Sequence, residues 1–142
     1  MMNQKRKETE LKVLQKELPD NIYRFLDMET DHPYLAIAAK TNAGNLYTLK
    51  IELADFPESV PRVFVTRMLY DADSEPLDGP SSSMHTLQSE NGCTQICHSG
   101  NDSWTNMVSL YKIYIKCRLW LEIYEEHLRT GEPIDHYLTH QY

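Results

Sequence analysis

Apolar and polar residues alternate most clearly in YTLKIEL, residues 47–53, where every second side chain is apolar. This period of two predicts a β-strand with one buried face. Three further segments are rich in strand-forming residues and are bounded by turn-like sequence, namely residues 21–28, 34–40 and 62–67. Because the connections between the four segments are short, we expect consecutive strands to pair as an antiparallel meander.

Helical spacing marks the two ends of the chain. Residues 3–18 place three leucines at steps of three and four among charged residues, and Pro19 ends the pattern. Residues 109–131 predict a longer helix, which Gly131 stops. Its apolar positions are Leu110, Ile113, Tyr114, Cys117, Trp120, Leu121, Tyr124 and Leu128. The residues after Gly131 predict one further short turn of helix.

A long stretch between the fourth strand and the last helix, residues 69–105, is rich in Gly, Pro, Ser, Asp and Asn and shows little periodicity. Loops of this length inside a compact domain usually carry function, so any reactive chemistry is expected there. The chain therefore predicts an α+β fold that runs helix, four-stranded antiparallel meander, long loop and helix. Its 142 residues suit a single domain, residues 1–142.

Composition narrows the class of protein further. With 41% hydrophobic and 25% charged residues, the chain has the make-up of a soluble globular protein. A net charge of −7 argues against general binding to nucleic acid, which needs a basic face. The sequence contains no apolar run long enough for a membrane span, and its N-terminus is too polar for a signal peptide. We therefore predict a cytoplasmic protein without a membrane partner.

The three cysteines have different surroundings. Cys117 shares the apolar stripe of the last helix, which predicts a buried packing role. Cys93 and Cys97 lie in the long loop, where Cys97 precedes His98. No second pair of ligands accompanies them, so we predict no metal, although a small zinc-stabilised adaptor stays an alternative. Their C-x-x-x-C spacing does not match a redox pair. A cysteine hydrolase would need a partner such as His85 or His98.

In their order, these elements resemble the fold of the ubiquitin-conjugating enzymes. His85 stands where the His-Pro-Asn motif of that family begins, and Trp104 matches a tryptophan downstream of its cysteine. The other matching motifs are LKVLQKEL (11–18), YTLKIELADFPESVPRVFV (47–65), QIC (95–97) and WLEIYEEHLRTG (120–131). The last of these is similar to the helix of bacterial members, which occur in CBASS anti-phage operons and in bacterial ubiquitin-like operons. The resemblance covers about residues 3–130.

The resemblance implies that Cys97 accepts the C-terminus of a partner protein as a thioester and passes it to an amine. The partner would be a cGAS/DncV-like nucleotidyltransferase or a ubiquitin-like protein. Cys93 is the alternative nucleophile, but it lacks the aliphatic neighbour that precedes Cys97. The chain has no glycine-rich nucleotide loop, so a separate activating enzyme or other acyl donor is expected, and no cofactor. The alternative function is that of a non-catalytic protein of the same fold that binds partners.

The sequence departs from the family motif after His85, where Thr86 and Leu87 replace proline and asparagine. Another polar side chain would then stabilise the oxyanion that forms when an amine attacks the thioester, or would order the loop. The candidates are His85, Asn91 and Asn101. Asp102 is a candidate for deprotonating the incoming amine. In the family the first helix binds the activating partner. The basic residues that correspond to that surface here are Lys5, Arg6, Lys7, Lys12 and Lys16. A solvent-exposed helix face would explain these charges equally well.

Overall fold

In the computed structural model, which describes residues 2–99 and 104–138, two helices pack with one antiparallel sheet around a common core. The helix α1 spans Gln4–Glu17 and the helix α2 spans Leu110–Thr130. The strands are β1 (Tyr23–Leu26), β2 (Tyr34–Lys40), β3 (Leu46–Glu52), β4 (Val63–Val65), β5 (Thr86–Glu90) and β6 (Cys93–Ile96). Short 3-10 turns lie at Asp20–Ile22 and Ile134–His136, the second of which we call the C-terminal turn.

The sheet has the strand order β1-β2-β3-β4-β6-β5, and all its pairs are antiparallel. The α+β class and the consecutive pairing of the first four strands are confirmed. The predicted count of four strands is wrong, because the described residues form six. The extra two come from the stretch that was expected to be an irregular loop: β6 pairs with β4, and β5 forms the edge beyond it.

The β5–β6 hairpin has no alternating pattern that a sequence reading would detect. In β6, Thr94, Gln95 and Ile96 are all buried, whereas most of β5 is exposed. Its turn is formed by Asn91 and Gly92, which both have positive φ angles, 52° and 74°. An Asn-Gly pair with positive φ at both residues is the preferred two-residue hairpin turn. That dipeptide is the sequence feature that could have predicted the two strands.

The core lies where the apolar face of β3 packs against the apolar side of α2. Leu49 and Ile51 are completely buried, as is Cys117, which confirms its predicted packing role. The prediction for Leu128 is wrong, because that side chain is 45% exposed. His127 is buried instead, where its ring accepts the Ala72 backbone N–H at 3.0 Å and donates to the Glu132 carbonyl at 2.7 Å. Across the described ranges, no helix has the length and apolar character needed to cross a membrane.

A half-buried ion pair within α1 contacts the start of α2. The Arg6 guanidinium donates to one Glu10 oxygen at 2.8 Å, and the other Glu10 oxygen accepts the Leu110 backbone N–H at 2.7 Å. Arg6 also donates to the carbonyls of Asn106 and Val108. Glu10 therefore satisfies an N–H group that the first turn of a helix leaves without an intrahelical partner, and its charge suits that end of the helix dipole.

Replacement of Glu10 by alanine is expected to lower the free energy of unfolding by about 3 kcal/mol, because it leaves a largely buried guanidinium without its anionic partner and a buried N–H without its acceptor. Urea denaturation of wild type and variant measures this difference. The matched control is Glu8→Ala, whose exposed side chain bonds only to Gln4 among the described contacts, and it should change stability by less than about 0.5 kcal/mol. Equal losses for the two variants would contradict the capping role.

Candidate active site around Cys97

Cys97 follows β6 directly, at the open end of the β5–β6 hairpin. The preceding residue, Ile96, pairs with Val63 of β4 on one side and with Thr86 of β5 on the other. The Cys97 backbone N–H donates to the His85 carbonyl at 2.9 Å. Its position is therefore set by strand pairing on both sides and by a backbone hydrogen bond to the residue just before β5.

His85 and Asp135 form a close pair beside this cysteine. The His85 Nε2 atom lies 2.7 Å from Oδ1 of Asp135, which belongs to the C-terminal turn. The Asp135 backbone N–H donates to the Ser83 carbonyl at 2.8 Å, so the turn is fixed to the residues just before His85. His85 has a φ of 52°, a conformation that few residues other than glycine adopt. The histidine side chain is mostly shielded, whereas the aspartate is exposed.

Cys97, His85 and Asp135 line one cleft with a volume of about 420 Å³. The rest of its lining is Pro80, Ser81, Ser82, Thr86 and Leu87. A second depression of about 270 Å³ reaches Cys97 from the side of Val60, Pro61 and Arg62. The half-buried thiol is thus bordered by two adjoining concave surfaces.

Burial raises the pKa of the Cys97 thiol, and a hydrogen bond from the Ser99 backbone partly opposes this shift. At neutral pH the thiol is therefore mostly protonated, and its reaction needs a base or a partner that stabilises the thiolate. Complete burial raises the pKa of Cys117 much further, which agrees with its place in the core.

His98 has a structural position rather than a reactive one. Its Nε2 atom donates to the Pro61 carbonyl at 2.8 Å, and the ring is buried. Burial lowers the pKa of His98, and Lys116 lowers it as well, whereas the Pro61 carbonyl raises it. The ring is therefore neutral at physiological pH and fixes the segment after β6 against the β4 side of the sheet.

Cys93 and Cys97 lie at opposite ends of β6. Four residue steps of extended chain place them about 13 Å apart, so they cannot share a metal ion or form a disulfide in this fold. The Cys93 thiol points to the hairpin turn, 3.7 Å from the Asn91 carbonyl oxygen. Within residues 2–99 and 104–138, no three metal-ligating side chains come close enough to hold an ion.

The other predicted site residues are spread more widely. Asn91 belongs to the hairpin turn, so β6 separates it from Cys97. Asn101 and Asp102 lie outside the described residues. Trp104 packs edge-to-face on Phe56 and donates to the Pro57 carbonyl at 3.1 Å.

The basic residues of α1 differ in their surroundings. Lys5, Lys12 and Lys16 are exposed, as a partner-binding surface requires. Arg6 is turned inward to Glu10 and to the segment before α2, and its guanidinium lies 5.0 Å from the centre of the Phe56 ring. Arg6 thus has a structural explanation that its sequence position did not suggest.

Asp135 is the residue near Cys97 that the sequence analysis did not identify. It lies 38 residues after the cysteine, and its position depends on how α2 ends. Gly131 terminates α2 with a φ of 80°, and the chain then turns back after Pro133. This Gly-x-Pro ending was visible in the sequence, but the contact with His85 follows only from the packing of the turn beside Ser83.

In the Cys93→Ala variant, the rate at which iodoacetamide alkylates Cys97 should rise with pH. The pH midpoint of this rise should be higher in the folded protein than in the same variant unfolded in urea, because burial raises the pKa of the folded thiol. The pH dependence of the initial rate, with the modified residue identified by mass spectrometry, measures both midpoints. Cys117 should stay unmodified while the protein is folded. A folded-state midpoint at or below the unfolded one would contradict the stated environment of Cys97.

Comparisons with known proteins add no family to this geometry. No protein-family model, curated protein or solved structure matches the chain.

Proposed function

We propose that the chain is a bacterial ubiquitin-conjugating-like enzyme of the cytoplasm, with a ubiquitin-conjugating type of fold. In this proposal Cys97 carries the C-terminus of a partner protein as a thioester and transfers it to an amine. The partner would be a cGAS/DncV-like nucleotidyltransferase or a ubiquitin-like protein in an anti-phage pathway. The observation that carries the proposal is the position of Cys97 at the end of β6, in one cleft with His85 and Asp135.

The order of elements supports this choice of family. The antiparallel sheet, the cysteine directly after a strand, the packed Trp104 and the long helix α2 follow one another as the sequence motifs imply. His85 also stands at the point where the family has its histidine motif, and its carbonyl binds the cysteine backbone. The order of these features supports the proposal, whereas the two added strands β5 and β6 depart from the expected four-stranded sheet.

The chemistry fits a single cysteine that works with an external donor. Exchange of one thioester for another conserves the bond type, so the thiol needs positioning and access rather than a complete hydrolytic triad. Strand pairing supplies the positioning, and the two depressions beside Cys97 supply the access. Activation of the partner's C-terminus would come from a separate enzyme.

Two observations favour a second candidate, a non-catalytic protein of the same fold that binds partners. Burial raises the pKa of Cys97, and Thr86 and Leu87 stand where the family has proline and asparagine. A zinc-stabilised adaptor based on Cys93 and Cys97 loses support, because the length of β6 separates the two thiols.

The test combines the protein with a candidate partner from its operon, the activating enzyme and ATP, followed by electrophoresis with and without reductant. Wild type should form an adduct that reductant cleaves, because a thiol displaces a thioester but not an amide. Cys97→Ala should form none, whereas the matched Cys93→Ala variant should form as much as wild type.

Two results would contradict the enzymatic assignment. The first is the absence of any reductant-sensitive adduct from wild type, with the partner bound nonetheless, which would favour the non-catalytic candidate. The second is an undiminished adduct in Cys97→Ala, which would place the reactive thiol elsewhere.

A further inference from the structure

We propose that the outer face of α2 binds the same face of a second copy of this chain, with the two helices antiparallel and Leu119 at the two-fold axis. This inference goes beyond the proposed function, because it involves no reaction of Cys97. The outer face is the side of α2 opposite its buried stripe, and it comprises Lys112, Ile115, Lys116, Leu119, Glu122, Ile123 and Glu126.

The first support is an apolar strip at the centre of this face. Ile115 and Leu119 are four residues apart, so they are neighbours on the helix surface. Their side chains are 40% and 45% exposed, although the opposite side of α2 is buried. Ile123, one turn further along, is partly buried against the core. Adjoining apolar residues that are exposed among charged ones are typical of an interaction surface.

The second support is the distribution of charge on the same face. The first half of the face carries Lys112 and Lys116, and the second half carries Glu122 and Glu126. Each of these pairs is four residues apart, so like charges adjoin within the helix, which costs stability. Burial lowers the pKa of Lys116, and the charge of Lys112 lowers it further. The two halves of the face therefore complement each other only between antiparallel helices.

The third support is the symmetry of these positions about Leu119. In a pair with two-fold symmetry, residues equally far before and after the axis contact each other. Lys112 and Glu126 lie seven residues before and after Leu119, and Ile115 and Ile123 lie four residues before and after it. An antiparallel pair centred on Leu119 therefore places Lys112 against Glu126 of the second copy, and Ile115 against Ile123 of the second copy.

Contacts within the chain decide which charges are suitable for a test. Glu122 accepts the Asn42 backbone N–H at 2.7 Å, and Lys116 also interacts within its own chain. Lys112 is exposed, and Glu126 pairs only with Arg129 among the described ion pairs, one turn further along α2. Exposed ion pairs of this kind are weak, so the Glu126 carboxylate can also bind a lysine of the second copy.

The size of the face sets the strength of the contact. One helix face with three apolar residues is smaller than the interfaces of permanent dimers. We therefore expect a weak dimer with a dissociation constant of about 100 µM. Because its charge pairs lie near solvent, salt should weaken it.

The experiment is sedimentation equilibrium of the whole chain from about 10 µM to about 1 mM, where a weak dimer shows its concentration dependence. We expect a change from monomer to dimer over this range. Raising NaCl from about 20 mM to about 500 mM should raise the dissociation constant about fivefold, because the charge pairs are screened.

The test variants reverse one charge each, Lys112→Glu and Glu126→Lys. In either variant alone, like charges face each other on both sides of the axis, which should raise the dissociation constant at least about 10-fold. The matched controls are Arg24→Glu and Glu29→Lys, which make the same charge changes at exposed positions outside α2. They should associate like wild type, and thermal melting shows whether each variant is folded.

An equimolar mixture of the two test variants distinguishes contact between copies from damage to the helix. In the mixed dimer, both contacts between positions 112 and 126 join opposite charges, so the dissociation constant should return to within about threefold of the wild-type value. A local loss of helix stability would persist in the mixture.

Three results would overturn the proposal. The first is a monomer at every concentration, which would leave this face to a different protein. The second is a dimer that neither charge reversal weakens. The third is a mixture that stays as dissociated as its two components. None of these results bears on the thioester at Cys97, so the proposed function stands or fails separately.

Discussion

The hydrogen bond from the Cys97 N–H to the His85 carbonyl connects the sheet to the candidate site. It closes the open end of the β5–β6 hairpin, because it joins the residue after β6 to the residue before β5. The backbone of His85 is thereby fixed next to the cysteine, with a positive φ that turns the chain sharply into β5. Together with the pairing of Ile96 on both sides and the contact of the His85 ring with Asp135, this bond places the thiol and the imidazole at the cleft.

The two ends of the chain support this site through separate contacts. On one side, the Arg6–Glu10 pair fixes the segment before α2 and caps that helix, while Trp104 packs on Phe56. On the other side, the end of α2 sets the C-terminal turn that brings Asp135 to His85. The helix α2 thus links the Arg6–Glu10 pair at its start to the His85–Asp135 pair beyond its end.

Periodicity explains which parts of the fold were predictable. The alternation in β3 and the stripe of α2 identified a sheet face and a helix face correctly, because each buries one regular set of side chains. The β5–β6 hairpin escaped because Thr94, Gln95 and Ile96 are buried without alternation. Leu128 was misjudged because a histidine with two hydrogen-bonded ring nitrogens can replace an apolar residue in the core.

The candidate site likewise contains residues that local sequence motifs predict and residues that they do not. Cys97 and His85 could be identified from motifs that are local in sequence. Asp135 could not, because its contact spans 50 residues and depends on the angle at which the chain leaves α2. Arg6 was grouped with a partner surface because of its charge and the resemblance of the first helix. Its internal contacts could not be predicted, because they include the carbonyls of Asn106 and Val108, 100 residues or more away. Long-range contacts between polar side chains leave no periodic mark in a sequence.

Peptide mapping after exposure of the native protein to a peptide thioester tests the central claim most directly, because it locates the acyl group without any knowledge of the natural partner. The proposed function predicts a reductant-sensitive mass increase on the peptide that contains Cys97, with little on Cys93 and none on Cys117. Acylation confined to Cys93, or no acylation of the folded protein at all, would contradict it.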